Sequence, residues 1–147
     1  MKKKVIGLID GQSGNIGSIK KAIKDIIKDK PYQLKIIQSQ FDPNQFSKII
    51  LPGQGAYATL IANLKKLKIF NSLKVNKDNK IVTSAFNEKD FYFVHSYIFE
   101  KVKKSDVLAT TKYGKNFPSV VNKGNIYGVQ FHPEKSHKNG LKLIKNF

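Results

Sequence analysis

Residues 5–15 read VIGLIDGQSGN and decide the fold, because an apolar run passes directly into a glycine-rich turn. The run Val5–Ile9 has no polar residue, which is typical of a strand buried on both faces of a parallel sheet. The turn Asp10–Asn15 holds two glycines and an asparagine, residues that tolerate unusual backbone angles. The stretch therefore predicts a first strand that turns into the next element.

The segments that follow complete a strand–helix–strand unit. Isoleucines recur at helical spacing over Ile16–Ile27, with lysines on the opposite face, and the helix must end before Pro31. Leu34–Ile37 and Ile49–Leu51 are two further apolar runs of strand length. This order of elements indicates a parallel α/β sheet, in which ligands bind beyond the carboxyl ends of the strands.

The loop Leu51–Tyr57 follows the third predicted strand and precedes a helix with leucines on one face over Leu60–Leu67. Because Gly53 and Gly55 have no side chain, backbone N–H groups of this loop can approach a ligand oxygen. An ordinary tight turn is the alternative interpretation.

The second half of the chain has an antiparallel character. Leu73–Val82 resembles a hairpin around a polar turn, and Phe91–Tyr97 is a strongly β-prone run. Val107–Thr111, Val120–Val121 and Ile126–Phe131 predict further strands, and a short helix closes the chain. We expect a single domain over 1–147, with a strand–helix–strand half at 1–70 and a hairpin half at 71–147.

Composition excludes several classes of function. The 147 residues contain no cysteine, so disulfides, thiolate metal sites and a cysteine nucleophile are all absent. Apolar residues make up 40% of the chain, yet no run approaches the length of a membrane span. Asp10 interrupts the first apolar stretch, so it reads as a strand and not as a signal peptide. We expect a cytoplasmic protein without a membrane partner.

The net charge of +17 suggests nucleic-acid binding at first sight. However, the basic residues are all lysine, scattered along the chain, and arginine, which reads guanine and phosphate bidentately, is absent. We therefore predict no nucleic-acid partner. The three histidines, His95, His132 and His137, have no spacing typical of a zinc site, so we also predict no metal.

His132 and Glu134 form the candidate catalytic pair at the end of the last predicted strand. Residues two apart in an extended chain point to the same side. The Glu134 carboxylate can therefore fix the tautomer of the His132 imidazole, as a general base requires. A base of this kind implies a nucleophile. The alternative is that the pair is a relic kept by descent.

Four stretches in order along the chain carry a family resemblance. Together they resemble the class I glutamine amidotransferases, and within them the glutaminase subunits of imidazole glycerol phosphate synthases of histidine biosynthesis. The stretches are Ile9–Ile16, Ile50–Tyr57, Phe91–Tyr97 and Gly128–Ser136. The resemblance implies a flavodoxin-like α/β fold with a parallel or mixed sheet and flanking helices.

The resemblance also implies a chemistry in which a cysteine–histidine–glutamate triad hydrolyses glutamine and passes ammonia to a barrel-shaped cyclase subunit. It implies a heterodimer with that cyclase and no cofactor. The matching residues are His132 as base, Glu134 as its orienting carboxylate, Gly53, Gln54 and Gly55 as the oxyanion loop, and His95, Ser96 and Tyr97 as glutamine contacts.

The family's nucleophile is missing from this chain. The family carries its cysteine in a Gly-x-Cys-x-Gly elbow, which exposes a side chain above the sheet. Here the second helix leads almost at once into the hairpin, so we predict that several tens of residues are deleted between Leu67 and Asn71. The deletion would remove the central elbow strand and its following helix. Ser72 and Ser84 have no glycine-flanked elbow that would let them replace the cysteine.

Three hypotheses follow from this mismatch. The chain is a glutaminase subunit that cannot hydrolyse glutamine, or a non-catalytic module that docks on the cyclase subunit, or a decayed or incomplete gene product that does not fold stably.

Overall fold

The computed structural model divides the chain into two compact units, residues 1–74 and 75–147. The single domain expected from the sequence stays a prediction. The structure describes residues 3–12, 16–53, 57–69 and 89–147.

A three-stranded parallel sheet forms the first unit. Strand β1 (Lys4–Ile9) lies in the middle, between β2 (Tyr32–Ile37) and β3 (Lys48–Ile50), and both pairings are parallel. Helix α1 (Ile16–Ile27) connects β1 to β2, and helix α2 (Tyr57–Lys66) follows β3. The strand–helix–strand unit predicted from the sequence is confirmed.

The core of this unit is built on the central strand. Leu8 and Ile9 are completely buried, as expected for a strand covered on both faces. Ile23 of α1 and Leu64 of α2 are each 1% exposed. Gly7 allows close packing, because a Cβ at this position would lie 2.6 Å from the Ile37 side chain. The predicted amphipathic faces of both helices are therefore the buried ones.

A three-stranded antiparallel sheet forms the second unit. Strand β5 (Lys115–Lys123) lies between β4 (Val107–Tyr113) and β6 (Ile126–Val129). Gly114 and Gly124 make the two connecting turns at φ values of 68° and 62°, which glycine adopts without steric cost. The chain ends in helix α3, His137–Asn146.

Aromatic side chains dominate the core of the second unit. Val120, Phe131 and Leu143 are buried together. The ring of Phe91 lies 4.1 Å from that of Phe131, and the ring of Phe93 packs edge-on against Phe131 at 5.6 Å. The segment that carries Phe91 and Phe93 is thus held to the sheet by its side chains.

One predicted strand is wrong, because Phe91–Tyr97 has no strand geometry in the part of the chain that the structure describes. The backbone groups of Tyr92 bond to a turn instead of a neighbouring strand. Its N–H donates to the Ser136 hydroxyl at 3.0 Å, and its carbonyl accepts the His132 N–H at 2.9 Å. High β-propensity alone does not supply a ladder partner.

Other boundaries also differ from the prediction. Strand β6 ends at Val129 and not at Phe131, because the chain turns there and the Gln130 side chain accepts the Phe99 N–H at 3.1 Å. Helix α3 is longer than the predicted short helix, at 10 residues. The predicted hairpin Leu73–Val82 lies outside the described residues.

Candidate active site

The His132 and Glu134 side chains form a hydrogen-bonded pair. The Nδ1 atom of His132 lies 3.0 Å from the Oε1 atom of Glu134. The two side chains are 18% and 8% exposed, respectively. The contact expected between these residues is present. A helical turn brings them together, and not the extended chain on which the prediction was based. His132 precedes a 3₁₀ turn at Pro133–Lys135, and this turn swings Glu134 back beneath the imidazole.

This geometry determines how the imidazole can act. The carboxylate of Glu134 accepts a hydrogen bond from the protonated Nδ1 of His132. The other ring nitrogen, Nε2, then carries the lone pair and can accept a proton. A charge-assisted bond in a mostly buried position is stronger than one in water, so it holds the ring in one orientation. This is the arrangement that a general base requires.

The backbone around His132 is anchored by a residue that sequence reasoning missed. Ser136 is 4% exposed, and its hydroxyl donates to the His132 carbonyl at 2.7 Å. The same oxygen accepts the Tyr92 N–H at 3.0 Å. The position of Ser136 before helix α3 was the available signal, because serine is favoured at helix starts. Here its side chain bonds back to the turn instead of capping the helix.

The predicted glutamine-contacting residues lie on an exposed segment of the same unit. The His95 ring lies edge-on between Phe93 and Phe117, at centroid distances of 5.6 Å and 5.7 Å. Ser96 is exposed, and Tyr97 is 86% exposed. Phe93 also contacts Phe131, the residue before His132, so one aromatic cluster carries both parts of the predicted site.

The predicted oxyanion loop belongs to the first unit and is described only in part. Gly53 is exposed, and apart from its chain neighbours no atom of the described residues would lie within 4 Å of a Cβ there. Gln54 and Gly55 lie outside the described residues. Beside this loop in sequence, helix α2 contributes Asn63, whose side chain donates to the Gly11 carbonyl at 2.9 Å. That bond ties α2 to the turn after β1.

Two other types of site are absent from the described ranges. No group of three or more acidic or histidine side chains there could hold a metal ion. No helix in the same ranges combines the length and the apolarity needed to cross a membrane. Ser72 and Ser84, considered above as replacement nucleophiles, fall outside these ranges.

The family model for glutamine amidotransferase class-I matches residues 56–147, more than half of the chain. The chain therefore belongs to the class I glutamine amidotransferase family. Its fold is the truncated α/β fold of that family, and the described residues show parallel and antiparallel pairing and three α-helices.

Individual relatives make the assignment more specific. The chain is 32% identical to the imidazole glycerol phosphate synthase subunit HisH 2 of Methanococcus maripaludis, over 97% of this chain and 98% of the relative. It is 28% identical to the HisH subunit of Leptospira interrogans over the same shares. A shorter match of 78 residues to the HisH subunit of Leptospira borgpetersenii reaches 47% identity.

The length of these matches reveals an internal difference. The first two relatives align over 205 positions, whereas this chain has 147 residues, so at least 58 aligned positions have no counterpart here. Because 98% of each relative is covered, the missing positions are internal to the alignment. Their placement between Leu67 and Asn71 stays a prediction.

Proposed function

We propose that this chain is a glutaminase-type subunit of an imidazole glycerol phosphate synthase that keeps the base half of the glutamine site but hydrolyses no glutamine by itself. The observation that carries the proposal is the 3.0 Å contact between His132 Nδ1 and Glu134 Oε1 in a chain without cysteine. The similarity to HisH subunits over nearly the whole chain supports the parent function.

The role of the pair follows from the chemistry of amide hydrolysis. A thiolate adds to the side-chain amide carbon of glutamine, and His132 delivers the thiol's proton to the departing ammonia. Water, deprotonated by the same imidazole, then releases glutamate from the thioester. Glu134 keeps the Nδ1 proton in place throughout. Without the thiol the first carbon–sulfur bond cannot form, so the chain stops before the first step.

The remaining site residues take binding roles in this proposal. Backbone N–H groups of Gly53, Gln54 and Gly55 would hold the oxyanion. His95, Ser96 and Tyr97 would contact the bound glutamine, and the exposure of Ser96 and Tyr97 leaves both side chains open to a ligand. The reaction needs no metal and no cofactor, and the subunit is expected in the cytoplasm beside its cyclase.

The test is a glutaminase assay of the purified chain mixed with its cyclase subunit. We expect glutamate formation no faster than in a matched sample of the His132→Ala variant. A wild-type rate well above that control would overturn the proposal, because it would require a nucleophile other than the missing cysteine. A cooperative thermal melt by circular dichroism establishes that both samples are folded, and its absence would favour a decayed gene product.

A second candidate function is a non-catalytic module that docks on the cyclase subunit. It is supported by exposed apolar side chains on the segment that Tyr92 bonds to the His132 turn, with Tyr92 at 46%, Val94 at 61% and Tyr97 at 86%. Co-elution with the cyclase at micromolar concentration is expected, together with weaker co-elution of a Val94→Asp variant. Separate elution of the two folded proteins would contradict docking.

A further inference from the structure

Three hydrogen bonds hold the turn that carries His132 and Glu134. Two of them join the turn to the backbone of Tyr92, and the third lies within the turn. The His132 N–H donates to the Tyr92 carbonyl at 2.9 Å. The Ser136 hydroxyl accepts the Tyr92 N–H at 3.0 Å and donates to the His132 carbonyl at 2.7 Å. A serine hydroxyl offers one donor and two acceptor sites, so both of these bonds form together.

We infer that Ser136 is the positioning residue of the His132–Glu134 pair, because its hydroxyl locks the turn that sets the imidazole against the carboxylate. The Ser136 hydroxyl binds two backbone groups, the Tyr92 N–H and the His132 carbonyl. The backbones of these two residues are also joined directly, by the bond from the His132 N–H to the Tyr92 carbonyl. Removing the hydroxyl takes this partner from the Tyr92 N–H and leaves the His132 carbonyl with the Lys135 N–H at 3.1 Å. Both bonds to the hydroxyl are partly buried, and an unmet hydrogen bond there is costly.

Helix α3 also packs against this turn. The Gly140 N–H donates to the Ser136 carbonyl at 2.9 Å. A Cβ at residue 140 would overlap the Pro133 carbonyl oxygen and would lie 2.8 Å from the Ser136 Cβ. Because Gly140 has no side chain, the backbone of the helix packs directly against the turn. Ser136 is held between this helix and the turn that it positions.

The positioning role differs from a merely structural one in what it predicts for the imidazole. With the turn locked, the proton stays on Nδ1 and the two ring nitrogens are chemically distinct. With the turn loosened, Glu134 no longer holds that proton and the two neutral tautomers exchange. The inference rests on the proposed function only in that a general base needs one fixed tautomer. The tautomer itself exists whether or not glutamine is hydrolysed.

The test is NMR of the full-length chain labelled with ¹⁵N in its histidines, at alkaline pH where imidazoles are neutral. The His132 signals are assigned by their loss in a His132→Gln variant. We expect one protonated Nδ1 and one unprotonated Nε2 in the wild type, averaged nitrogen shifts in Ser136→Ala, and the wild-type pattern in Ser136→Thr. Ser119→Ala is the matched control, because Ser119 is 3% exposed but lies in β5.

A folded Ser136→Ala variant with the wild-type ring spectrum would overturn the inference. Should that variant not fold, amide exchange in the wild type decides. The Tyr92 N–H should exchange at least about tenfold more slowly than an unstructured amide, and an unprotected Tyr92 N–H would show that the clamp is not formed. Neither readout depends on turnover, so glutamine hydrolysis by the chain would overturn the proposed function and leave this inference standing.

Discussion

Gly140 of helix α3 lies directly against the carbonyl oxygen of Pro133, so closely that no side chain fits between them. The contact joins the last helix to the turn that carries His132 and Glu134. Sequence patterns mark Gly140 as a weak point in a helix, since glycine destabilises helix interiors. In the tertiary structure glycine is instead favoured at this position, because any larger residue would push the helix away from the turn.

We therefore expect Gly140→Ala to destabilise the folded chain by about 1–3 kcal/mol, although alanine is the better helix former. Urea denaturation measures the change in the free energy of unfolding. Gly53→Ala is the control, because no described residue beyond its chain neighbours would contact the added methyl group, and it should be neutral or slightly stabilising. Equal effects of the two substitutions would contradict the packing argument.

The central strand offers a second stability test. Leu8 is completely buried in the parallel sheet, so Leu8→Ala should cost about 2–5 kcal/mol through lost burial and the cavity left behind. Leu51 makes a matched comparison in the same unit, because it is 38% exposed. Leu51→Ala should cost clearly less in the same denaturation experiment. A similar loss at both positions would be inconsistent with β1 at the centre of the core.

Lys48 at the start of β3 gives a pH-dependent prediction. Burial lowers the pKa of its ammonium below the ordinary 10.5, and repulsion from Lys4 lowers it further. At neutral pH Lys48 is protonated in both the folded and the unfolded chain. The folded state therefore bears the full free-energy cost of burying this ammonium near Lys4. As pH rises through the lowered pKa, the folded chain loses the proton first and the penalty is relieved.

Lys48→Met should accordingly raise the melting temperature at pH 7 by about 1–3 °C, an effect kept small by partial solvation. The gain should shrink as pH approaches 10.5. Lys20→Met, at an exposed position of α1, controls for the loss of one charge from a chain of net charge +17. A gain that is the same for both variants at every pH would mean that net charge, and not burial of Lys48, is responsible.

Restoring the missing segment should restore the chemistry. The positions of the Leptospira interrogans relative that have no counterpart here can be inserted between Leu67 and Asn71. We expect this chimera to release glutamate in the presence of the cyclase, because the segment is predicted to carry the cysteine elbow of the family. His132→Ala in the chimera should lower the rate by about 10²–10⁴-fold. A folded chimera whose turnover is unaffected by His132→Ala would contradict the role of His132 as base.

Local patterns in the sequence were enough for most of the regular structure. The apolar run Val5–Ile9 and the helical spacing over Ile16–Ile27 each match an observed element within a residue. The strand predicted over Phe91–Tyr97 is wrong, because β-propensity does not specify which groups the backbone of a segment meets. Those groups belong to His132 and Ser136, some 40 residues further along the chain.

The sequence by itself determined the parallel start of the fold, the two-residue spacing of His132 and Glu134, and the absence of a cysteine. These are properties of residue type and local order, which need no partner to be expressed. Only the tertiary structure decided how the pair is held. A 3₁₀ turn, the Ser136 hydroxyl and the bare backbone of Gly140 orient the imidazole. Such contacts depend on where distant backbone groups meet in space, which no local pattern specifies.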